Sequence, residues 1–417
     1  MSASVRRRKP ENKSNAKIGI EQPKNNKDKS DEQHCCFKCF SALLSTLAVL
    51  TTIGLLGYYQ APFTAVPLEN YSVQVKLVGL FSPNNKLSEA TRITGLSGPE
   101  CILEDDKGNL YTGLADGRIV QIRPSSKGHI GAGDIVNVTS GFIKNIPRAM
   151  EHVNHGRPLG LRRRDQILYV ADANYGIYAV NIRSGEVDTL VAVNDVNPPL
   201  ALTDDLCVSK SGKFIYFSDM TSSYKLDRLI YANLEGLCKS RVFQYNTESK
   251  TVRVVTSSLC FGNGVQLSED ENLLFVAEPT SYRVRIIDMM TWKTVRFVDV
   301  PIMPDNIRST GQGTYWIAGS SLWTSSYGFL ERNPVVRQII AGLFSYKNLE
   351  RTIPKYSMVL EMTEEGEILQ SLHDPTGDSI SALTHAVTLS DGRLALGSFK
   401  DDFIAILNEK NLAIGLA

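Results

Sequence analysis

Six stretches of the chain repeat one pattern, and that repetition restricts the fold more than any other feature. They are NLYTGLADGRIVQI at 109–122, ILYVADANYGIYAV at 167–180, FIYFSDMTSSYKL at 214–226, LLFVAEPTSYRVRII at 273–287, TYWIAGSSLW at 314–323 and RLALGSFKDDFIAIL at 393–407. Each is a run rich in β-branched and aromatic residues, then a polar break and usually a second such run. A turn signal such as DDKGN, SKSGK or LSDG precedes each copy, and before the turn lies a further strand-like run such as CILED or VQLS. An open sandwich could hold as many strands but would not explain six self-similar units. Radial repetition of small antiparallel sheets does. The expected fold is all-β, a six-bladed β-propeller over residues 91–412.

Ahead of the repeats, residues 40–59 (FSALLSTLAVLTTIGLLGYY) contain no charge. At roughly 1.5 Å per residue, a helix of that length matches a hydrocarbon layer of about 30 Å. A core helix is rarely uncharged on every side, and a cleavable signal peptide has a shorter apolar region nearer the terminus. The segment therefore reads as a single transmembrane helix. Residues 1–39 hold ten of the 45 Lys and Arg residues but only five of the 44 Asp and Glu, and the next basic residue after the span is Lys76. Positive-inside bias puts this tail, expected to be disordered, in the cytosol. Residues 60–90 then form a linker and propeller entry, and the propeller is lumenal or extracellular, as in a type II protein of the plasma membrane or endoplasmic reticulum. The basic excess lies in a tail without aromatic or groove-reading features, so no nucleic-acid partner is expected.

Four cysteines follow the span: Cys101, Cys207, Cys238 and Cys260. A hairpin built from RVFQYN and TVRVVTS would bring Cys238 and Cys260 together, although the pairing stays open at this level. Sequons at Asn70 and Asn137 fit glycosylation on the same side of the membrane.

In a propeller the first strand of every blade lines a central channel. The residues entering those strands are Pro99-Glu100, Leu159-Gly160, Asp204-Asp205, Asn263-Gly264, Asp305-Asn306 and Thr384-His385. A ring of acids and amides repels itself unless a cation sits among them. Roughly six to eight oxygen ligands of this kind are what Ca²⁺ takes, and the absence of thiolate or multi-histidine patterns disfavours zinc. Turn residues capping strand entries would explain any one position, but not matching positions in four of six repeats.

The segments GPE at 98–100, HGRPLGLR at 155–162, FGNGVQLS at 261–268 and MPDNIR at 303–308 resemble the strictosidine-synthase-like propellers, and the resemblance covers roughly residues 40–410. SLHDPTG at 371–377, with the anchor, narrows it to the membrane-bound branch. That resemblance implies a superfamily shared with paraoxonases, diisopropyl-fluorophosphatase and gluconolactonases, whose hydrolases hold a catalytic Ca²⁺ in the channel. It implies metal ligands at Glu100, Asp204, Asn263 and Asp305, with Asn306 beside them. Asp204 stands where relatives usually have asparagine, and Leu159 falls where paraoxonases carry a histidine. His385 takes the place of the glutamate used by plant strictosidine synthases, which argues against alkaloid condensation. A histidine there, with an ordinary pKa of about 6.5, reads either as a general base or as a side chain hydrogen-bonded into the channel wall.

The expected function is a calcium-dependent hydrolase of the arylesterase or lactonase kind, acting on a small ester or lactone. No G-x-S-x-G motif occurs, which disfavours a serine esterase. The alternative is a non-catalytic propeller serving as a cell-surface binding or adhesion module, since propellers do both. A last feature lies at 333–350, where Asn333 and Pro334 open an amphipathic helix with Val335, Val336, Ile339, Ile340, Leu343 and Phe344 on one face. Arg337 is the only charge before Lys347. The insertion therefore reads as a lid packed on the protein rather than a membrane-surface helix, which is usually more basic.

Overall fold

The computed structural model describes residues 26–68, 71–140 and 155–408, with side chains from residue 37 onward. The chain divides into two compact units, Met1–Leu55 and Leu56–Ala417. The first holds most of helix α1 (Asn26–Gln60), and within that helix Phe37–Gln60 is the one helical stretch among the described residues long and apolar enough to cross a membrane. Phe40, Leu43, Leu47 and Leu50 are exposed along it. The hydroxyls of Thr46, Thr51 and Thr52 donate to carbonyls four residues back, which satisfies donors that hydrocarbon cannot.

In the second unit the described strands form six four-stranded antiparallel sheets. The innermost strands of the first five are Ile102–Glu104, Pro158–Arg164, Thr203–Val208, Val265–Leu267 and Ile302–Ser309, and that of the sixth is Leu383–Thr388. The sixth sheet draws on both ends of the unit. Its outer strand, Thr91–Thr94, pairs antiparallel with Phe403–Leu407, with Thr91 opposite Ile406 and Thr94 opposite Phe403. The repeat pattern did not reveal this strand, which closes the ring.

The apolar core is split into wedges, one between each pair of neighbouring blades. Leu161 and Val170 of the second blade pack with Tyr111 and Ile119 of the first. Phe217 and Phe243 of the third pack with Ile177 and Val191 of the second. Leu394 and Phe403 of the sixth pack with Trp316 and Leu372 of the fifth. Both faces of each inner sheet region are thus buried, which is why the strand runs read as continuously apolar rather than alternating.

Cys238 and Cys260 form a disulfide with Cα atoms 4.1 Å apart, bracketing the hairpin of Ser240–Asn246 and Thr251–Leu259. Cys101 and Cys207 are free and buried. Four short helices stand on the end of the propeller where the inner strands begin: α2 (Leu229–Glu235), α3 (Ser325–Arg332), α4 (Pro334–Leu343) and α5 (Tyr346–Glu350). The insertion at 333–350 is thus two helices, α4 and α5, not one, and α3 precedes it. Asn333 does not cap α4 with its side chain; its Nδ2 donates to Phe329 O at 2.7 Å, closing α3 instead.

Glycine fixes how closely neighbouring inner strands approach. A Cβ on Gly264 would overlap the Asp305 carbonyl oxygen and lie 2.7 Å from Asn306 Cα. Gly264→Ala is expected to cost about 1–3 kcal/mol through overpacking, read as a lowered thermal unfolding midpoint, with a larger effect on the site below than on the outer strands.

Candidate functional site

Four inner strands are bulged at the candidate positions. Their pairing slips between Pro158 and Gly160, Thr203 and Leu206, Pro304 and Ile307, and Leu383 and His385. A bulge frees consecutive residues from strict alternation, so Asp204 and Asp205 both reach the axis, as do Asp305 and Asn306. In the first and fourth blades, Glu100 and Asn263 lie just before the strand. The result is two tiers.

The upper tier lines a cavity of about 500 Å³. Each blade contributes one of the positions singled out from sequence: Glu100, Leu159, Asp204, Asn263, Asp305 and Thr384. Met220, Leu226, Leu229 and Phe261 add apolar walls, and α5 borders the opening through Tyr346 and Glu350. Thr384 Oγ1 donates to Glu100 O at 3.0 Å.

The lower tier is organised by Asp205 and Arg308. Arg308 Nη1 and Nη2 donate to the two oxygens of Asp205 at 2.8 and 2.9 Å. The Val265 amide adds a third donor to Asp205 at 3.0 Å, and Arg162 Nη1 lies 3.5 Å away. Arg308 Nη2 also donates to Asn306 Oδ1 at 3.2 Å, and Asn306 Nδ2 donates to Glu100 Oε1 at 2.7 Å. A hydrogen-bonded chain therefore runs from the lower tier into the upper one.

Of the expected ligands, Glu100, Asp204, Asn263 and Asp305 share the cavity, whereas Asn306 stands behind Glu100 with both its amide groups engaged. His385 also departs from its expected role. Its Nε2–H donates to Ile102 O at 3.0 Å, it is buried, and Thr384 takes its place on the cavity wall. Burial, with Arg308 and Arg162 nearby, holds its pKa well below the ordinary value. His385 thus lies outside the cavity lining, with one ring nitrogen on a backbone carbonyl. Asn70 lies outside the described residues. Asn137 is exposed at the end of an outer strand, where its Oδ1 accepts from Arg118 at 3.0 Å.

The electrostatics of the upper tier are unbalanced. Burial pushes Glu100 up to about 7, against the opposing pull of Arg157. Burial, then the charges of Glu100 and Asp205, hold Asp204 well above the carboxylate range, and burial with the charges of Asp204, Glu100 and Asp205 does the same to Asp305. Arg308 is committed to Asp205. Arg157 spends its donors on Gly98 O (2.9 Å) and Phe399 O (3.1 Å), with its guanidinium over the Phe399 ring. Three oxygens are left buried without a hydrogen-bond partner: Glu100 Oε2, Asp204 Oδ2 and Asn263 Oδ1. Buried polar atoms are nearly always satisfied, so three such orphans on one cavity point to a missing positive charge. All are hard oxygen donors, the chemistry Ca²⁺ selects. Among the described residues no group of three or more His, Cys, Asp and Glu side chains is drawn together tightly enough to hold a metal ion. The donors instead face a shared space.

Sequence reasoning passed over Arg157 and Arg308, although each stands inside a quoted motif, HGRPLGLR and MPDNIR. For Arg308 the available signal was a basic residue two and three positions after the candidate ligands Asn306 and Asp305; Arg157 has no candidate ligand near it in sequence.

A strictosidine synthase family model matches residues 204–287, and a strictosidine synthase-like N-terminal model matches 79–122. The chain is 34% identical over 391 residues to the adipocyte plasma membrane-associated protein of Gallus gallus, covering 89% of this chain and 91% of that one. It is 34% identical over 387 residues to the Homo sapiens protein of the same name, covering 89% and 90%. The chain belongs to the strictosidine synthase-like family. Among solved structures it is similar to a calcium-binding protein, regucalcin, of Agrobacterium tumefaciens, with 11% identity and a TM-score of 0.49 over 76% of this chain and 92% of that one. The two strictosidine synthase-like segments bear on the site: one includes Glu100, and the other opens on Asp204 and includes Asn263.

The raised carboxyls set a pH dependence of known sign. Between about 4.5 and about 7 the metal-free folded state keeps a proton on Glu100 that the unfolded chain has released. Metal-free stability is therefore expected to fall as pH rises through that window. The affinity of these carboxyls for any added cation is expected to rise with it, because a carboxylate must be deprotonated to hold one. Thermal unfolding with chelator and with excess Ca²⁺, at about pH 6 and about pH 8, checks both signs.

Proposed function

We propose that this chain is a membrane-anchored, calcium-dependent hydrolase of the arylesterase or lactonase kind, holding Ca²⁺ on Glu100, Asp204, Asn263 and Asp305. The observation that carries the reading is the set of three buried, unpartnered oxygens on one cavity whose walls include the apolar Met220, Leu226, Leu229 and Phe261. When bound, the cation supplies a Lewis acid for an ester or lactone carbonyl. Asn306 orients Glu100 from behind, in the way outer hydrogen bonds orient metal ligands. With His385 below the cavity, the proton of an attacking water falls to Asp204 or Asp305, the carboxylates that face the space. Met220, Leu226, Leu229 and Phe261 receive the aryl or acyl group and exclude bulk water. Two things support a type II arrangement with the propeller outside or in a lumen: the charge asymmetry across Phe37–Gln60 and a disulfide suited to an oxidising compartment. The relatives' name, plasma membrane-associated, favours that membrane.

The full chain in detergent, assayed against aryl esters and lactones, should lose turnover on chelation and regain it with Ca²⁺. Asn263→Ala should abolish turnover while leaving the unfolding midpoint near that of the parent. Asn306→Ala, acting through Glu100, should weaken Ca²⁺ binding by about 10–100-fold. His385→Gln should retain turnover. Hydrolysis indifferent to chelator and to Asn263→Ala would sink the proposal. Calcium binding without turnover on any ester or lactone would leave the binding-module alternative.

A further inference from the structure

We infer that α4 is a membrane-contact surface lying in the headgroup layer, so that the cavity opens beside lipid and takes an amphiphilic ester or lactone from the bilayer. This rests on the anchoring proposed above for Phe37–Gln60 and extends it to the propeller itself.

A surface helix in a soluble protein buries its apolar stripe and shows its polar one. In α4 the order is reversed. Arg337, Gln338 and Ala341 are its buried residues. Arg337 donates to Leu234 O at 3.0 Å and to Val66 O. Gln338 Nε2 donates to Tyr58 O at 3.0 Å, and its Oε1 accepts from the Ala65 amide at 3.1 Å. The polar side chains thus satisfy backbone groups of α2 and of the chain leaving α1. The apolar side faces out: Val335 is 55% exposed, Leu343 40% and Phe344 50%, with Phe329 of α3 at 54%. Apolar surface gathered in this way marks a place of contact with something else.

The last turn of α1 identifies the occupant. A Cβ on Gly57 would lie 2.7 Å from Ile339 O and from Leu343 Cγ, and one on Gly342 would overlap the Gly57 carbonyl oxygen. Two glycines therefore let that turn and α4 cross with their backbones in contact. An apolar span ending at Gln60 has its last turn at the edge of the hydrocarbon. A helix touching that turn lies at the same depth, and its outward side chains meet lipid. The low charge that had argued against a membrane helix is also resolved. Lys347, Arg351 and Lys355 are exposed just after the apolar segment, where cations suit lipid phosphates. Tyr346 of α5, three residues beyond Leu343, borders the cavity.

The test uses the full chain reconstituted in phosphatidylcholine vesicles with or without brominated acyl chains. Tryptophan is introduced at Phe344, or at Met290 as control, and the emission of Trp292, Trp316 and Trp323 is subtracted using unsubstituted protein. Met290 is 90% exposed. It lies beyond Asp288, at the far end of the strand that starts beside Thr280, where Tyr327 of α3 docks. Phe344→Trp should be quenched about twofold by brominated lipid, as expected for a side chain at the acyl boundary, with Met290→Trp unaffected. Vesicle flotation of the protein with no quenching at Phe344→Trp overturns this inference and leaves the anchor standing. If disulfide-forming Phe344→Cys copies then cross-link to each other, the face belongs to a second copy instead. Failure to float with vesicles at all overturns the anchor and this inference together.

Discussion

The bidentate pair between Asp205 and Arg308 is the contact on which the channel depends. It joins the third blade to the fifth across the axis, with the Val265 amide of the fourth and Arg162 of the second closing round it. Buried ion pairs are poor stabilisers once desolvation is counted. Their value here is geometric, because a fork of two parallel hydrogen bonds admits one relative position of the strands that carry it. Arg308 also holds Asn306, and Asn306 holds Glu100. One guanidinium thus sets the height of the first blade's buried carboxyl as well as the register of the third and fifth.

The same pair creates the charge surplus above it. Asp205 absorbs Arg308, and Arg157 is tied to two carbonyls, so Glu100, Asp204 and Asp305 remain under-compensated. The bulges make this division of labour available. Without them, Asp204 and Asp205 would point to opposite faces of their sheet, and one would enter an apolar wedge between blades. The arginines below also account for His385, whose neutral ring donates to a carbonyl in a zone where another cation would be repelled.

Much of this was legible in the sequence, and the boundary has a physical basis. Strand runs and turns recur with the blade, so six sheets could be counted, and the oxygen-bearing residues at strand entries could be placed on one axis. The closing strand Thr91–Thr94 could not, because four residues with no partner nearby in sequence carry no hairpin signal. Position along a bulged strand was equally hidden. A slip of one residue exchanges Thr384 for His385 at the cavity wall, and side-chain type alone gives no sign of the slip. For α4 the period showed correctly which residues share a face, but not which way it points. That depended on Arg337 and Gln338 finding backbone carbonyls at Val66, Leu234 and Tyr58, partners far away in sequence.

Desolvation ties the cavity's features together. The apolar walls that strip water from Glu100, Asp204 and Asp305 raise their proton affinity, and they also leave Glu100 Oε2 and Asp204 Oδ2 without partners. The same low dielectric strengthens attraction between those oxygens and a dication, since a charge interaction weakened by water is much less weakened there. Asp204 stands where the family resemblance implies an asparagine, so this chain carries one more negative charge in that space. Protonation relieves that repulsion, as the raised carboxyls of Glu100, Asp204 and Asp305 show, and the cation proposed above would relieve it in the protons' place. Walls, orphaned oxygens and raised carboxyls are therefore one physical property of the channel mouth, expressed three ways.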